Sequence, residues 1–216
     1  MQECGRQAVL ETLRAYCAVA VLRGDDAGAV FETACVLLDG GVRVLEVTMT
    51  VPGAHGLIRR LAAETSAVVG AGSVRTAADV DGCVDAGARF IVSPVCSPEV
   101  IQRAAERDVV VIPGAMTPTE VLAAWDLGAD LVKVFPAARL GAQYLKDLHG
   151  PLPEIPLVPT GGVTGENARE YLDAGAVLIC LGSWLTKGET SRVLERAREI
   201  SRLVKEYRER IDDHAT

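Results

Sequence analysis

Residues 126–135 read Asp126-Leu127-Gly128-Ala129-Asp130-Leu131-Val132-Lys133-Val134-Phe135. An aspartate, a spacer and a glycine stand before a short apolar run. A glycine in that place lets a helix end in left-handed backbone at no steric cost. The run behind it has the length and side chains of a buried strand. The same order occurs three more times: Asp39-Gly40-Gly41 before residues 42–48, Asp85-Ala86-Gly87 before 88–93, and Asp173-Ala174-Gly175 before 176–182. The copies recur at intervals of about 45 residues, the length of two strand–helix units.

Four further strands are predicted between the copies, at residues 17–22, 67–70, 109–113 and 157–160. Each is short, rich in Val or Ile, and followed by Gly, Pro, Ser or Thr. Amphipathic stretches separate the strands at 27–38, 54–64, 77–84, 99–107, 120–125, 143–148 and 166–172. Thr76, Ser97 and Thr164 stand where N-caps belong. Alternating strands and helices with short connections imply a parallel sheet, and eight such units close into a (β/α)₈ barrel. The expected organisation is a single α/β domain over residues 1–216, with an N-terminal helix and a charged C-terminal helix over 191–210 outside the barrel. The structural alternative is an open doubly wound sheet. No G-x-G-x-x-G follows the first strand, which weighs against it.

Composition suits this reading. Hydrophobic residues make up 49% of the chain and aromatics only 4%, as expected where aliphatic strands are buried on both faces. A formal net charge of −7 argues against non-specific binding to nucleic acid or membrane surfaces. Cys4, Cys17, Cys35, Cys83, Cys96 and Cys180 show no C-x-x-C spacing, and His55, His149 and His214 are scattered. Free thiols in a reducing cytoplasm and no protein-bound metal are the expectation. No leader sequence and no apolar run of about 20 residues is visible, so a cytoplasmic location is expected.

In such a barrel the chemistry gathers where strands end and loops begin. Those positions hold Arg23, Glu46 with Thr48, Ser73, Ser93 with Pro94, Gly114, Lys133 with Phe135, Thr160 with Gly161 and Gly162, and Gly182 with Ser183. Strand alternation puts Leu131, Lys133 and Phe135 on one face and Val132 and Val134 on the other. The valines suit the helix layer, so Lys133 points inward. Burial lowers a lysine pKa, and a neutral amine in an apolar pocket suits imine chemistry with a ketone. The competing reading is a lysine paired with a carboxylate to fill the barrel. Glu46 and Thr48 face inward by the same alternation. A glutamate there suits proton transfer, or a plain ion pair with Lys133 or Arg23. Gly161-Gly162 after the seventh strand and Gly182-Ser183 after the eighth fall where barrels of this kind hold phosphate, unless they serve tight turns alone. The small residues of Gly70-Ala71-Gly72-Ser73 would let a ligand approach the backbone.

These residues fall in runs with a recognisable order: LEVT at 45–48, GAGS at 70–73, IVSP at 91–94, PGAMTPTE at 113–120, KVFPA at 133–137, PTGGV at 159–163 and LGSW at 181–184. Together they resemble the 2-dehydro-3-deoxy-6-phosphogluconate (KDPG) and 4-hydroxy-2-oxoglutarate (KHG) aldolases over nearly the whole chain. The resemblance implies a class I aldolase, homotrimeric and using no metal or other cofactor. Lys133 then matches the imine-forming lysine and Glu46 the proton-moving glutamate. Ser73, Pro94 and Phe135 fall near the pyruvoyl end of the substrate. Thr160, Gly161, Gly162, Gly182 and Ser183 fall at its phosphate end. Pyruvate and a phosphorylated aldehyde are the implied small molecules.

Two departures bear on substrate. An arginine that some members carry shortly after the glutamate is missing, because that run reads Met49-Thr50-Val51 here. Arg23 is the candidate to supply its charge to the keto-acid carboxylate through paired hydrogen bonds. Ser73 replaces a threonine and keeps its hydroxyl. The rival readings are an aldolase acting on the phosphogalactonate epimer or on an unphosphorylated substrate, a metal-free phosphosugar isomerase or epimerase, and a non-catalytic trimeric scaffold.

Overall fold

The computed structural model describes residues 5–215, and all their side chains except those of residues 212, 214 and 215. Cys4 and the side chain of His214 therefore lie outside the described residues. Eight parallel strands alternate with helices. They are β1 (Ala18–Leu22), β2 (Val44–Thr48), β3 (Val68–Gly72), β4 (Phe90–Val92), β5 (Val110–Ile112, resuming at Gly114–Ala115), β6 (Val132–Val134), β7 (Leu157–Pro159) and β8 (Ile179–Leu181). Hydrogen bonding runs β5-β4-β3-β2-β1-β8 on one side and β5-β6-β7 on the other. A parallel bridge between Thr160 and Cys180 joins β7 to β8 and closes the ring. Pro113 has no N–H to give to the ladder, which is why β5 comes in two pieces. Its carbonyl still accepts from Lys133 N at 2.9 Å.

The helices are α1 (Arg6–Tyr16), α2 (Ala27–Asp39), α3 (Ala54–Glu64), α4 (Ala77–Asp85), α5 (Pro98–Glu106), α6 (Pro118–Asp126), α7 (Gly141–His149), α8 (Gly165–Asp173), the single turn α9 (Ser183–Thr186) and α10 (Thr190–Ala215). The four repeated glycines do what the sequence requires of them. Gly41, Gly87, Gly128 and Gly175 have φ of 93°, 104°, 94° and 95°. After each, the next N–H reaches back five residues to a helix carbonyl, as in Val42 to Leu37 at 3.0 Å and Ala176 to Tyr171 at 3.1 Å. These are Schellman ends. A fifth copy follows α5: Asp108 takes φ 48° and Val109 N bonds Ala104 O at 3.0 Å. Aspartate tolerates left-handed backbone better than most residues, so the turn survives without the glycine that would announce it.

Side chains divide into two apolar layers. Leu45, Val47, Val132 and Val134 join the layer between strands and helices, whereas Val44, Phe90, Ile112, Leu131 and Val158 fill the barrel. Helix α1 lies outside the ring as a plug across its N-terminal mouth. Its Val9, Leu10 and Leu13 join the interior cluster. Arg6 holds the plug in place through a bidentate contact with Asp130 at 2.9–3.2 Å, and Asp130 also accepts from Val111 N at 2.8 Å. Helix α10 wraps the outside. Ser201 donates to Gly40 O at 2.9 Å and Tyr207 to Leu172 O at 2.9 Å. Among the described residues no helix is long and apolar enough to cross a membrane.

Glycine also makes room inside the barrel. A Cβ on Gly70 would lie 2.4 Å from the ring of Phe90, a fully buried side chain. Gly70→Ala is therefore expected to destabilise the protein by about 1–3 kcal/mol through overpacking. Equilibrium urea unfolding reads this directly. An unchanged midpoint would mean that the Phe90 ring shifts freely.

Candidate active site

Lys133 and Glu46 stand on β6 and β2, strands that face one another across the ring of eight. Both point inward, as strand alternation requires, and both are buried, with 7% and 1% of their surface exposed. They open onto a cavity of about 310 Å³ at the C-terminal ends of the strands. Eleven of the strand-end residues singled out above line that cavity, namely Arg23, Glu46, Ser73, Pro94, Lys133, Phe135, Thr160, Gly161, Gly162, Gly182 and Ser183, whereas Thr48, Ser93 and Gly114 do not. Five more line it that sequence reasoning did not assign: Val21, Val163, Trp184, Thr186 and Lys187. Val21 was legible, since it alternates with Val19 on β1. The other four hang on loops and the α9 turn, whose direction has no sequence period.

Glu46 is not half of a plain ion pair. Neither Lys133 nor Arg23 lies within 4.0 Å of it, and its Oε2 is buried with no hydrogen-bond partner. Burial raises its pKa above the ordinary carboxylate value, while the positive charges of Lys133 and Arg23 pull it back in part. Its side chain lies over Gly72, where a Cβ would come within 1.8 Å of Oε1. The space of the Gly70-Ala71-Gly72-Ser73 run is thus taken up by Phe90 and Glu46, not left for a ligand as the sequence suggested. A buried polar atom without a partner is uncommon enough to need a reason. Among the described residues there are three: Glu46 Oε2, Thr160 Oγ1 and His55 Nε2. The first two belong to residues of this cavity.

The remaining walls follow from local structure. Lys133 Nζ lies 5.0 Å from the centroid of the Phe135 ring, close enough for the ring face to attract an ammonium. Pro94 approaches β5 so closely that a Cβ on Gly114 would meet its carbonyl oxygen at 2.3 Å. Ser73 turns the chain at the end of β3 with φ 59°, where a β-branched residue would be crowded. Gly161 and Gly162 both take positive φ and pack against Phe135 and Ala138. They are tight-turn residues as well as cavity residues. Cys180 lies inside the barrel at the level of the pair, and burial pushes its thiol up to about 12. Its sulfur is held as a thiol at neutral pH, as is Cys83, also pushed up to about 12.

A profile of the KDPG and KHG aldolase family matches residues 9–202. The chain belongs to that family. Its members are class I, Schiff-base carbon–carbon lyases, for which a buried lysine and carboxylate facing one cavity are suitable equipment. The chain is 37% identical over 171 residues to the KHG/KDPG aldolase of Escherichia coli K12, a match covering 76% of this chain and 80% of that one. It is 34% identical over 196 residues to the 2-dehydro-3-deoxy-6-phosphogalactonate aldolase of the same strain, covering 89% and 95%. Among solved structures it superposes with a TM-score of 0.77 and 28% identity on KDPG aldolase from Legionella pneumophila, over 93% and 96% of the two chains. That structure was solved with pyruvate captured at low pH as a covalent carbinolamine intermediate.

In this aldolase the buried carboxylate has a consequence for stability. A carboxyl whose folded pKa is raised binds its proton more tightly in the folded state. It favours folding while neutral, and that benefit is lost as pH rises through the folded value. Glu46→Gln removes the ionisation. The variant is expected to melt above the wild type at neutral and alkaline pH, with the gap narrowing as pH falls from the raised folded value towards the ordinary carboxylate value of 4.5. Melting temperatures of both proteins across that range check the sign. A gap independent of pH would show that Lys133 and Arg23 fully offset the desolvation.

Proposed function

We propose that this protein is a class I aldolase cleaving KDPG to pyruvate and glyceraldehyde 3-phosphate, with 4-hydroxy-2-oxoglutarate as a further substrate giving pyruvate and glyoxylate. The observation that carries the reading is the convergence of Lys133 and Glu46 on one cavity in a chain of this family. Lys133 attacks the ketone carbon. Glu46 supplies a proton to the departing hydroxyl as the carbinolamine loses water, leaving a protonated imine. The imine accepts the electrons of the bond between carbons three and four. Glu46, directly or through a water, takes the proton of the 4-hydroxyl as that bond breaks. The aldehyde leaves, the enamine is protonated at carbon, and hydrolysis releases pyruvate and the free lysine.

Arg23 is assigned to the keto-acid carboxylate, with Ser73, Pro94 and Phe135 around the pyruvoyl group. Thr160, Gly161, Gly162, Gly182 and Ser183 are assigned to the phosphate. Supporting this, Gly161 and Gly162 both line the cavity and take positive φ, so no side chain covers the backbone there. Lys187 adds a positive charge to the same wall. A second substrate, the phosphogalactonate epimer, is favoured by the match to the E. coli aldolase for that compound, which spans more of both chains than the KHG/KDPG match. Membership of an aldolase family speaks against the isomerase or epimerase reading. The burial of both Lys133 and Glu46 against one cavity speaks against a scaffold, which has no use for two buried ionisable groups there. A homotrimer is the assembly proposed from the family resemblance.

The deciding test is borohydride reduction in the presence of pyruvate, followed by intact mass and peptide mapping. A single reduced adduct is expected on Lys133, and none in Lys133→Ala, which should lose turnover by roughly a thousandfold or more while staying folded. An adduct on another lysine, or Lys133→Ala retaining more than about a tenth of wild-type kcat, would overturn the assignment. Comparing kcat/KM for the gluconate and galactonate epimers, and with and without the phosphate, decides the substrate.

A further inference from the structure

Arg23 springs from the end of β1 and is exposed, on a long stem with many rotamers. No carboxylate holds it among the described residues: Asp26, three residues on, is occupied capping α2 by accepting from Ala29 N at 2.7 Å. What the guanidinium does meet is a hydroxyl. Its Nη1 lies 3.4 Å from Thr50 Oγ1. Thr50 Oγ1 lies 2.9 Å from Thr48 Oγ1, and Thr48 Oγ1 donates to Leu22 O at 3.1 Å.

The direction of this chain follows from counting protons. A hydroxyl carries one proton, a carbonyl can only accept, and a guanidinium can only donate. The proton of Thr48 is committed to Leu22 O. Thr50 must therefore donate to Thr48, which leaves Thr50 a lone pair facing the guanidinium. The far end of the relay is anchored, because Thr48 is fully buried and Leu22 is the residue before Arg23. The backbone that launches the arginine thus also fixes the acceptor that catches it. A guanidinium caught by a neutral oxygen keeps its full charge for an anion, which a carboxylate partner would have cancelled. That charge stays on the Glu46 side of the cavity, where it lowers the pKa of Glu46.

We propose that Thr50, oriented by Thr48, is a positioning residue that holds Arg23 over the cavity to receive the carboxylate of a 2-keto acid. This rests on the reading of Arg23 as the carboxylate ligand. A valine at position 50 keeps the volume and removes the acceptor, while a serine keeps the acceptor.

The experiment measures the pyruvate concentration that half-saturates borohydride trapping, together with KM and kcat for cleavage. It uses the full-length wild type, Thr50→Val, Thr50→Ser, Arg23→Ala and the double variant Arg23→Ala/Thr50→Val. Thr50→Val is expected to raise half-saturating pyruvate and KM roughly fivefold, the effect of losing one hydrogen bond, with kcat within about twofold. Thr50→Ser should stay within about twofold of wild type on every measure. The double variant should be no weaker than Arg23→Ala alone, since the hydroxyl acts only through the arginine. If Arg23→Ala weakens pyruvate binding and Thr50→Val does not, or if Thr50→Ser fails like valine, the positioning role is overturned while the carboxylate assignment stands. If Arg23→Ala itself leaves KM and half-saturation unchanged, both fall together.

Discussion

A closed ring of parallel strands puts every second residue of each strand where water cannot follow. In this protein that constraint is nearly absolute on the N-terminal side. Aliphatic side chains and Phe90 fill the tube, and α1 seals its mouth with Val9, Leu10 and Leu13. The tube opens only at the other end, where strands give way to loops. An ionisable group just inside that opening pays for lost hydration yet remains within reach of a ligand. Glu46 and Lys133 both occupy that level, on opposing strands. Their separation matters as much as their burial. Had they met, the carboxylate would be tied up in an ion pair, but instead its Oε2 faces the interior unpartnered.

Holding two ionisable side chains at that depth needs space as well as an apolar floor. The space comes from glycines on neighbouring strands. Gly72 lies under the carboxylate of Glu46, Gly70 under the Phe90 ring, and Gly114 against the Pro94 carbonyl. The first two stand on β3, directly across the ladder from Thr48 and Glu46 respectively. Strand-to-strand register is therefore what turns a glycine in one segment into room for a carboxylate in another. At the rim, the relay from Leu22 through Thr48 and Thr50 to Arg23 runs between the ends of β1 and β2 by the same adjacency.

Much of this was legible because local chemistry repeats. Four glycines with the same left-handed turn marked four strand starts, and alternation told Lys133 from its valine neighbours. The places where reading failed have local causes too. Asp108 hid a fifth turn by doing a glycine's work. Pro113 interrupted a strand without ending it. The N-cap of α6 lies at Thr117, bonded to Glu120 N at 3.3 Å, a cap hidden in a motif that the resemblance had already claimed. The glycines of the 70–73 run were read as space for a ligand, because sequence shows that a side chain is missing but not what fills the gap.

The sequence by itself determined the alternation of strands and helices, the inward face of each strand, and hence the identity of the two buried ionisable residues. Those are properties of short segments, governed by backbone geometry and by the period of two. Only the tertiary structure decided that Glu46 stands clear of Lys133, that Arg23 rests on Thr50, and that Trp184, Thr186 and Lys187 complete the wall around the glycine loops. Each of these depends on how strands far apart in the chain register and on where loops without a repeating pattern carry their side chains. Ring closure sets both, and no segment encodes it alone.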